Sequence, residues 1–248
     1  MRIKVTKENF DDYIIFSIFS SKYWDKFVLE GSRALDVLSD ENLVFRVLDD
    51  IDINADDNPN IEKIFRDIFR NNKDIEISFS ELKKRTNNSE SLFYNVLITY
   101  KKELKTNIDF TLETKSFDKV IKEKILFNRK IKIQTYVIEK YLANKIIASW
   151  KYKENTKREK TLFDVNFIVS NFDIDYLKFI KYYNYMNAKN IKIKDLVDDL
   201  IKFYQLSSLN LEHLNEELKI YLNEFYTKTI VANILDSLNK IKTEIEKF

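Results

Sequence analysis

"FVLEGSRALDVLSDENLVFRVLDDIDI", residues 27–53, holds the only glycine in a chain of 248 residues. Average usage would supply roughly 17, so Gly31 marks a backbone demand that no other residue meets. The stretch reads as an apolar strand ("KFVLE"), a Gly31-Ser32 turn, one or two helical turns ("RALDVLS") and a second strand ("DDIDIN"). Gly31 suits a position with φ > 0 or a close approach of a phosphate. Ser32 then stands at a helix N-terminus, where backbone N–H groups and the dipole favour an anion. A plain tight turn, with Ser32 as helix cap, accounts for the same two residues, and the sequence leaves both readings open.

Asp50 and Asp52 shift the balance. On a strand, residues i and i+2 share a face, so the two carboxylates repel unless a cation lies between them. Such a hard-oxygen pair suits Mg²⁺ (or Mn²⁺), which takes one or two carboxylates and fills its octahedron with water and substrate phosphates. D-x-D also arises easily in an acidic chain, and "NFDIDYLKF" is the internal control. There Asp173 and Asp175 repeat the triplet inside a helical region with no glycine-serine turn upstream, and they are read as structural. A two-metal site needs a third carboxylate, for which Asp109 in "KTNIDFTLE" is the candidate. It interrupts an apolar, threonine-rich strand between Ile108 and Phe110, where a charge is costly unless it points into a site.

Working outward, "DIEISFS", "SLFYNVLITYK", "TNIDFTLE" and "RKIKIQ" read as further strands, Phe10, Ile14 and Ile18 recur at helical spacing, and "NPNIEKIFRDIFRNN" reads as a helix opened by Pro59. From Thr135 onward the apolar residues recur at three and four with almost no strand signal. The expected fold is therefore α+β: a mixed-sheet α/β domain over residues 1–134 and a helical domain over 135–248. In the expected helix "YVIEKYLANKIIASW", Ile138, Leu142, Ile146 and Trp150 form the buried stripe, and Lys140, Asn144 and Lys151 the polar face. Lys145 lies beside that stripe. Asp164 has Phe167 and Ile168 one turn on, so both charges sit at the edge of buried faces. They either pair with each other to hold two helices or share a ligand.

Composition excludes much chemistry. Zero cysteines rule out a thiol nucleophile, a Cys-ligated metal and a disulfide framework, and they fit a reducing cytoplasm. His213 is the only histidine, which argues against a histidine base or a multi-histidine metal site, and it is read as an ordinary helix-surface residue. One glycine permits neither a Walker loop nor a G-x-G-x-x-G fingerprint. The net charge of +2 forces no partner, no apolar run spans a bilayer, and the charged start "MRIKVTKENFDDY" is not a secretory signal. Lysine and asparagine are abundant while glycine, proline and alanine are scarce, the bias of an AT-rich genome, so lysine runs carry little weight. The basic segment "WKYKENTKREK" is either a solvated loop or a surface for an RNA backbone.

Strand, G-S turn, short helix, D-x-D strand and a later strand with a lone Asp together resemble the nucleotidyltransferase arrangement of the polymerase-β type. More narrowly, "FVLEGSRAL…FRVLDDIDI" resembles the signature of the AbiEii-type family, toxins of type IV toxin–antitoxin systems. "TYVIEKYLANKIIASW…KREKTLFDVNFIV" is similar to that family's A-x-K helix and the basic R-D-L-Y-D-like segment after it. The motifs run from residue 27 to 168. Ser32 stands where many members have a second glycine, Leu48 replaces a serine, and Lys160 and Thr161 replace R-D.

The resemblance implies a magnesium-dependent transfer of a nucleoside monophosphate from a nucleoside triphosphate to an acceptor hydroxyl, with tRNA or another RNA as acceptor and a cognate antitoxin as partner. Asp50, Asp52 and Asp109 would hold metal. Gly31 and Ser32 would cradle phosphates, with Arg46, at an arginine of the family pattern, as a further contact. Arg33, read from the residues alone, is either an exposed surface charge or a phosphate or acceptor contact, and Arg46 has the same alternative. Lys145 would bind the nucleotide phosphates and Asp164 would orient it. A non-catalytic nucleotide-binding regulator and a transferase acting on a protein or small molecule are the alternatives.

Overall fold

In a computed structural model the described residues are 3–39, 50–55, 60–84, 92–112, 116–152, 157–187, 190–206 and 224–248. Arg46, Pro59 and His213 lie outside them. In chain order the elements are α1 (Phe10–Phe19), β1 (Phe27–Glu30), α2 (Gly31–Leu38), β2 (Ile51–Ala55), α3 (Ile61–Phe69), β3 (Ile75–Phe79), β4 (Lys83–Lys84), β5 (Leu92–Tyr100), β6 (Leu104–Leu112), β7 (Lys119–Leu126), β8 (Arg129–Tyr136), α4 (Ile138–Lys151), α5 (Lys157–Asn171), α6 (Tyr176–Met186), α7 (Ile193–Leu206) and α8 (Glu224–Ile245). The chain divides into two compact units, with the described residues up to Val137 in the first and those from Ile138 in the second. β8 ends at Tyr136, so the first unit runs slightly past the expected boundary at 134.

The first unit is built on a mixed sheet in the order β3-β5-β6-β2-β1-β8-β7, with β4 beside β5. β1 runs antiparallel to β2 and parallel to β8, and β2 runs parallel to β6. Alternation of side chains sets the two faces. Along β6, Ile108 and Phe110 are fully buried, while Asn107 is exposed and Asp109 half-buried between and beside them. The apolar face carries Phe27, Phe110 and Tyr94, packed on Phe65 of α3. Phe65 meets Phe27 edge-on at 6.1 Å and Phe110 at 5.6 Å, and Tyr94 stacks on Phe110 at 5.6 Å. Each such pair adds about 1 kcal/mol beyond burial.

The helices form where apolar spacing and caps agree. α1 buries Phe10, Ile14 and Ile18, the spacing expected from sequence. α3 starts at Ile61 with Asn60 as its cap, whose side-chain oxygen accepts the Lys63 N–H at 3.0 Å. The helix opening thus belongs to Asn60 and not to Pro59. Two strands were not expected. β4 is two residues long, and β7, "KVIKEKIL", is a charged strand at the sheet edge with Ile121 and Ile125 exposed.

In the second unit α4 packs on α5 and α6, and α8 on α5 and α7, around Leu142, Ile146, Val165, Ile168, Tyr183, Val197 and Leu238. The Trp150 indole N–H donates to Asp199 Oδ2 at 2.8 Å, tying α4 to α7. Asp175 caps α6 by accepting the Lys178 N–H at 3.0 Å, which gives the second D-I-D triplet a structural job. The basic run at 150–160 is not one continuous loop: α4 continues through Lys151 and α5 begins at Lys157, and residues 153–156 lie outside the described residues. Among the described residues no helix is long and apolar enough to cross a membrane.

Lys140 departs from the sequence reading. Asn144 and Lys151 are exposed as expected, but Lys140 is only 4% exposed, its ammonium 5.5 Å from the Tyr141 ring centre. Burial, aided by the positive charge of Lys145, pushes its pKa down from 10.5 to about 7. The unfolded chain therefore binds more protons than the folded one between about pH 7 and the ordinary lysine range. Stability rises with pH across that window, and the full cost of the buried group is carried below it. Lys140→Met is expected to flatten the rise in melting temperature that the wild type shows between pH 7 and 9. Thermal unfolding of both proteins across that range checks it.

Candidate active site

β1 ends at Glu30, and the chain turns directly into α2 through Gly31, which has φ +65°. A Cβ built there would run into the carboxylate of Asp52, 2.9 Å from its carboxyl carbon and 3.2 Å from its Cβ. The single glycine of the chain is thus kept for two reasons at once: a left-handed backbone angle that L side chains disfavour, and room for the Asp52 carboxylate. Ser32 follows as the second residue of α2, half-buried at the helix N-terminus.

Strand register brings the carboxylates together. Asp52 on β2 stands directly opposite Asp109 on the parallel strand β6, and opposite Glu30 on β1. Side chains at directly opposed positions share a face, and this is the face away from Phe27, Ile53 and Phe110. Both Asp52 and Asp109 are half-buried. Asp50 sits one residue ahead of β2 and is exposed. On the next strand Asn95 opposes Asp109, and its side-chain amide donates to Asp109 Oδ1. The result is a polar row, Glu30, Asp52, Asp109 and Asn95, across four adjacent strands.

Among the described residues no group of three or more His, Cys, Asp or Glu side chains is gathered closely enough to hold a metal by itself. The expected trio is instead a pair in register, with Asp50 just ahead of the strand. The donor set nonetheless fits Mg²⁺ or Mn²⁺: the oxygens are hard, one or two carboxylates suffice when substrate phosphates complete the shell, and the space a Cβ would fill at Gly31 opens onto Asp52.

Other sequence candidates fall elsewhere. Arg33 is neither exposed nor turned to a ligand. It is 9% exposed and forks onto α1, its Nη2 2.6 Å from Asp11 and its Nη1 3.3 Å from Asp12, pinning α2 to that helix. Arg46 lies outside the described residues. Lys145 and Asp164 form an ion pair at 2.6 Å between α4 and α5, with the Asp164 side chain fully buried and that of Lys145 16% exposed. Asn95 was missed by sequence reasoning, although it is the one carboxamide in the apolar run "SLFYNVLITYK" and so carried a readable signal. Asn54, two residues beyond Asp52, was missed as well. It is 1% exposed, its amide donates to the Tyr136 hydroxyl at 3.1 Å, and its Oδ1 has no hydrogen-bond partner.

Gly31→Ala tests the turn. It is expected to fold with a modest loss of stability and to weaken nucleoside triphosphate binding at least tenfold, because the methyl displaces the Asp52 carboxylate. Ser32→Ala is expected to cost about 1 kcal/mol of binding, one hydroxyl hydrogen bond. Equilibrium binding of a labelled triphosphate in the presence of Mg²⁺ measures both.

The architecture is a mixed sheet that places two strand carboxylates in register beside a strand-to-helix turn, followed by a helical unit. Two solved structures from Helicobacter pylori share it over nearly their whole length. One is described as a candidate nucleotidyltransferase, with 14% identity, a TM-score of 0.53 and coverage of 98% of each chain. The other is JHP933, with 15% identity, a TM-score of 0.54 and coverage of 98% of this chain and 96% of that one. No protein-family model matches the chain, and no curated protein matches it in sequence.

Proposed function

We propose that the chain is a metal-dependent nucleotidyltransferase that moves a nucleoside monophosphate from a nucleoside triphosphate to an acceptor hydroxyl. The observation that carries this reading is the register of Asp52 with Asp109 beside the side-chain-free Gly31. The description of one structural neighbour as a candidate nucleotidyltransferase supports it. A bound Mg²⁺ or Mn²⁺ would neutralise phosphate charge and lower the pKa of the acceptor hydroxyl. Asp52 and Asp50 would hold it against the triphosphate, while the N-terminus of α2, through Gly31 and Ser32, would receive phosphate oxygens on its backbone N–H groups. Asp109 would orient the acceptor and take up its proton. The acceptor oxygen attacks the α-phosphorus in line, the bond to the bridging oxygen of the β-phosphate breaks, and pyrophosphate leaves.

The resemblance to AbiEii-type toxins supports RNA, tRNA in particular, as the acceptor and a cognate antitoxin as the partner. It also supports a role for Lys145 on the nucleotide phosphates, with Asp164 orienting it. The test is to incubate the purified protein with each α-labelled triphosphate, Mg²⁺ and total cellular RNA. Transfer of label to a tRNA-sized band with release of pyrophosphate is expected, and it should stop on chelation of the metal. Metal-dependent triphosphate binding without pyrophosphate release would overturn transfer in favour of a nucleotide-binding regulator. Label appearing on protein or a small molecule would replace RNA as the acceptor.

A further inference from the structure

We infer that Asn95 is the positioning residue for Asp109: by holding one carboxylate oxygen it fixes the orientation in which the carboxylate serves the metal and the acceptor. The inference rests on the proposed nucleotidyltransferase reading. Its geometry is set by the backbone. Asn95 opposes Asp109 in the antiparallel β5–β6 pair, and its amide donates to Oδ1. On its other side the residue is clamped by the end of β3: the Asn95 N–H donates to Ser80 Oγ at 2.9 Å, and its carbonyl accepts the Ser80 N–H at 3.0 Å. Ser80 thereby continues the ladder with one backbone and one side-chain bond, at the point where β3 as a strand has ended at Phe79. The Asn95 backbone is thus fixed by two bonds to Ser80, just past β3, as well as by its pairing with β6, which sets the position from which its amide reaches Asp109.

The residue type matters as much as the place. A lysine or arginine here would also hold Oδ1, but it would cancel the charge that a cation needs. A carboxamide donates while leaving the carboxylate its full charge. An aspartate at 95 would offer no donor and set a second negative charge against the first. Partners that orient a metal-binding carboxylate in this way typically change metal affinity or activity 10- to 100-fold when removed.

The experiment compares wild type, Asn95→Leu and Asn95→Gln. Mn²⁺ binding to the protein with a non-hydrolysable triphosphate is read by electron paramagnetic resonance, beside the kcat and KM of transfer. Asn95→Leu keeps the size and loses the donor, and is expected to weaken Mn²⁺ about tenfold. Asn95→Gln keeps a donor and should recover part of the affinity, which also shows that the position tolerates substitution. Wild-type Mn²⁺ affinity in folded Asn95→Leu would overturn the positioning role while leaving the transferase reading intact. A wild type that neither binds Mn²⁺ nor transfers nucleotide would overturn both.

Discussion

Asp52→Asn is expected to lower nucleotide transfer about a thousandfold and to leave the fold intact. The residue lies in register between Glu30 and Asp109, with the space of the absent Gly31 side chain against its carboxylate. Asparagine keeps the shape and removes the charge. Loss of a metal-binding carboxylate removes about 4 kcal/mol of transition-state stabilisation, and each 1.36 kcal/mol is tenfold in rate. Stability should move the other way or not at all, since like charges placed directly opposite each other across a ladder are destabilising. In the wild type, Mg²⁺ with a non-hydrolysable triphosphate should raise the melting temperature through mass action, and Asp52→Asn should lose that increment. Asp50→Asn should behave alike in activity. Asp173→Asn, in the repeated triplet that lies ahead of α6, should change neither quantity. Full transfer by both Asp50→Asn and Asp52→Asn would remove the strand carboxylates from the chemistry.

The second large effect is on stability. Lys145→Ala leaves the fully buried Asp164 carboxylate without the ammonium that now stands 2.6 Å away. Breaking a buried pair from one side costs about 3 kcal/mol or more, because the remaining charge has lost its compensation. In a chain of this size that is a drop of roughly 10 °C in melting temperature. Lys145→Ala with Asp164→Asn should regain most of it. The same four proteins assayed for transfer separate scaffold from chemistry in one double-mutant cycle. If Lys145 serves the triphosphate, the stable double variant stays inactive and binds triphosphate less well, while its monophosphate binding changes little. If the pair only holds α4 to α5, activity returns together with the melting temperature.

How much of this was readable in advance follows from what each segment must bury. Six strands announced themselves through short apolar runs, consecutive in β1 and alternating in β6, and Asp109 stood out because its neighbours Ile108 and Phe110 both point into the buried face. β7 did not, because four of its eight residues, from Lys119 to Leu126, are lysine or glutamate and none of the eight is buried. An edge strand with little to bury is under no pressure to alternate. Charges mislead more than apolar residues do. Arg33 looked like a surface cation, but Asp11 and Asp12 on α1, distant in sequence, take its guanidinium. Lys140 looked solvated because helical spacing shows one stripe, whereas α4 is packed from more than one side. The partner of Asp109 is set by the antiparallel register of β5 with β6, which is not written in either strand alone.

That register also governs how the protein comes into being. Asp52 and Asp109 meet only through a parallel pairing, and Leu29 meets Thr135 through another. Parallel strands need long crossovers, and the loop-closure entropy is spent before any contact repays it. During synthesis the first half of the acidic row is made well before the strand that completes it. A nascent chain that has reached Ala55 carries Glu30, Gly31 and Asp52 with no β6 to lie beside, and β1 gains its outer neighbour only when β8 is made. The chemistry proposed for the row therefore waits until β6 has been made. A chain truncated before Asp109 would lack the carboxylate to which the proposed transfer gives the acceptor.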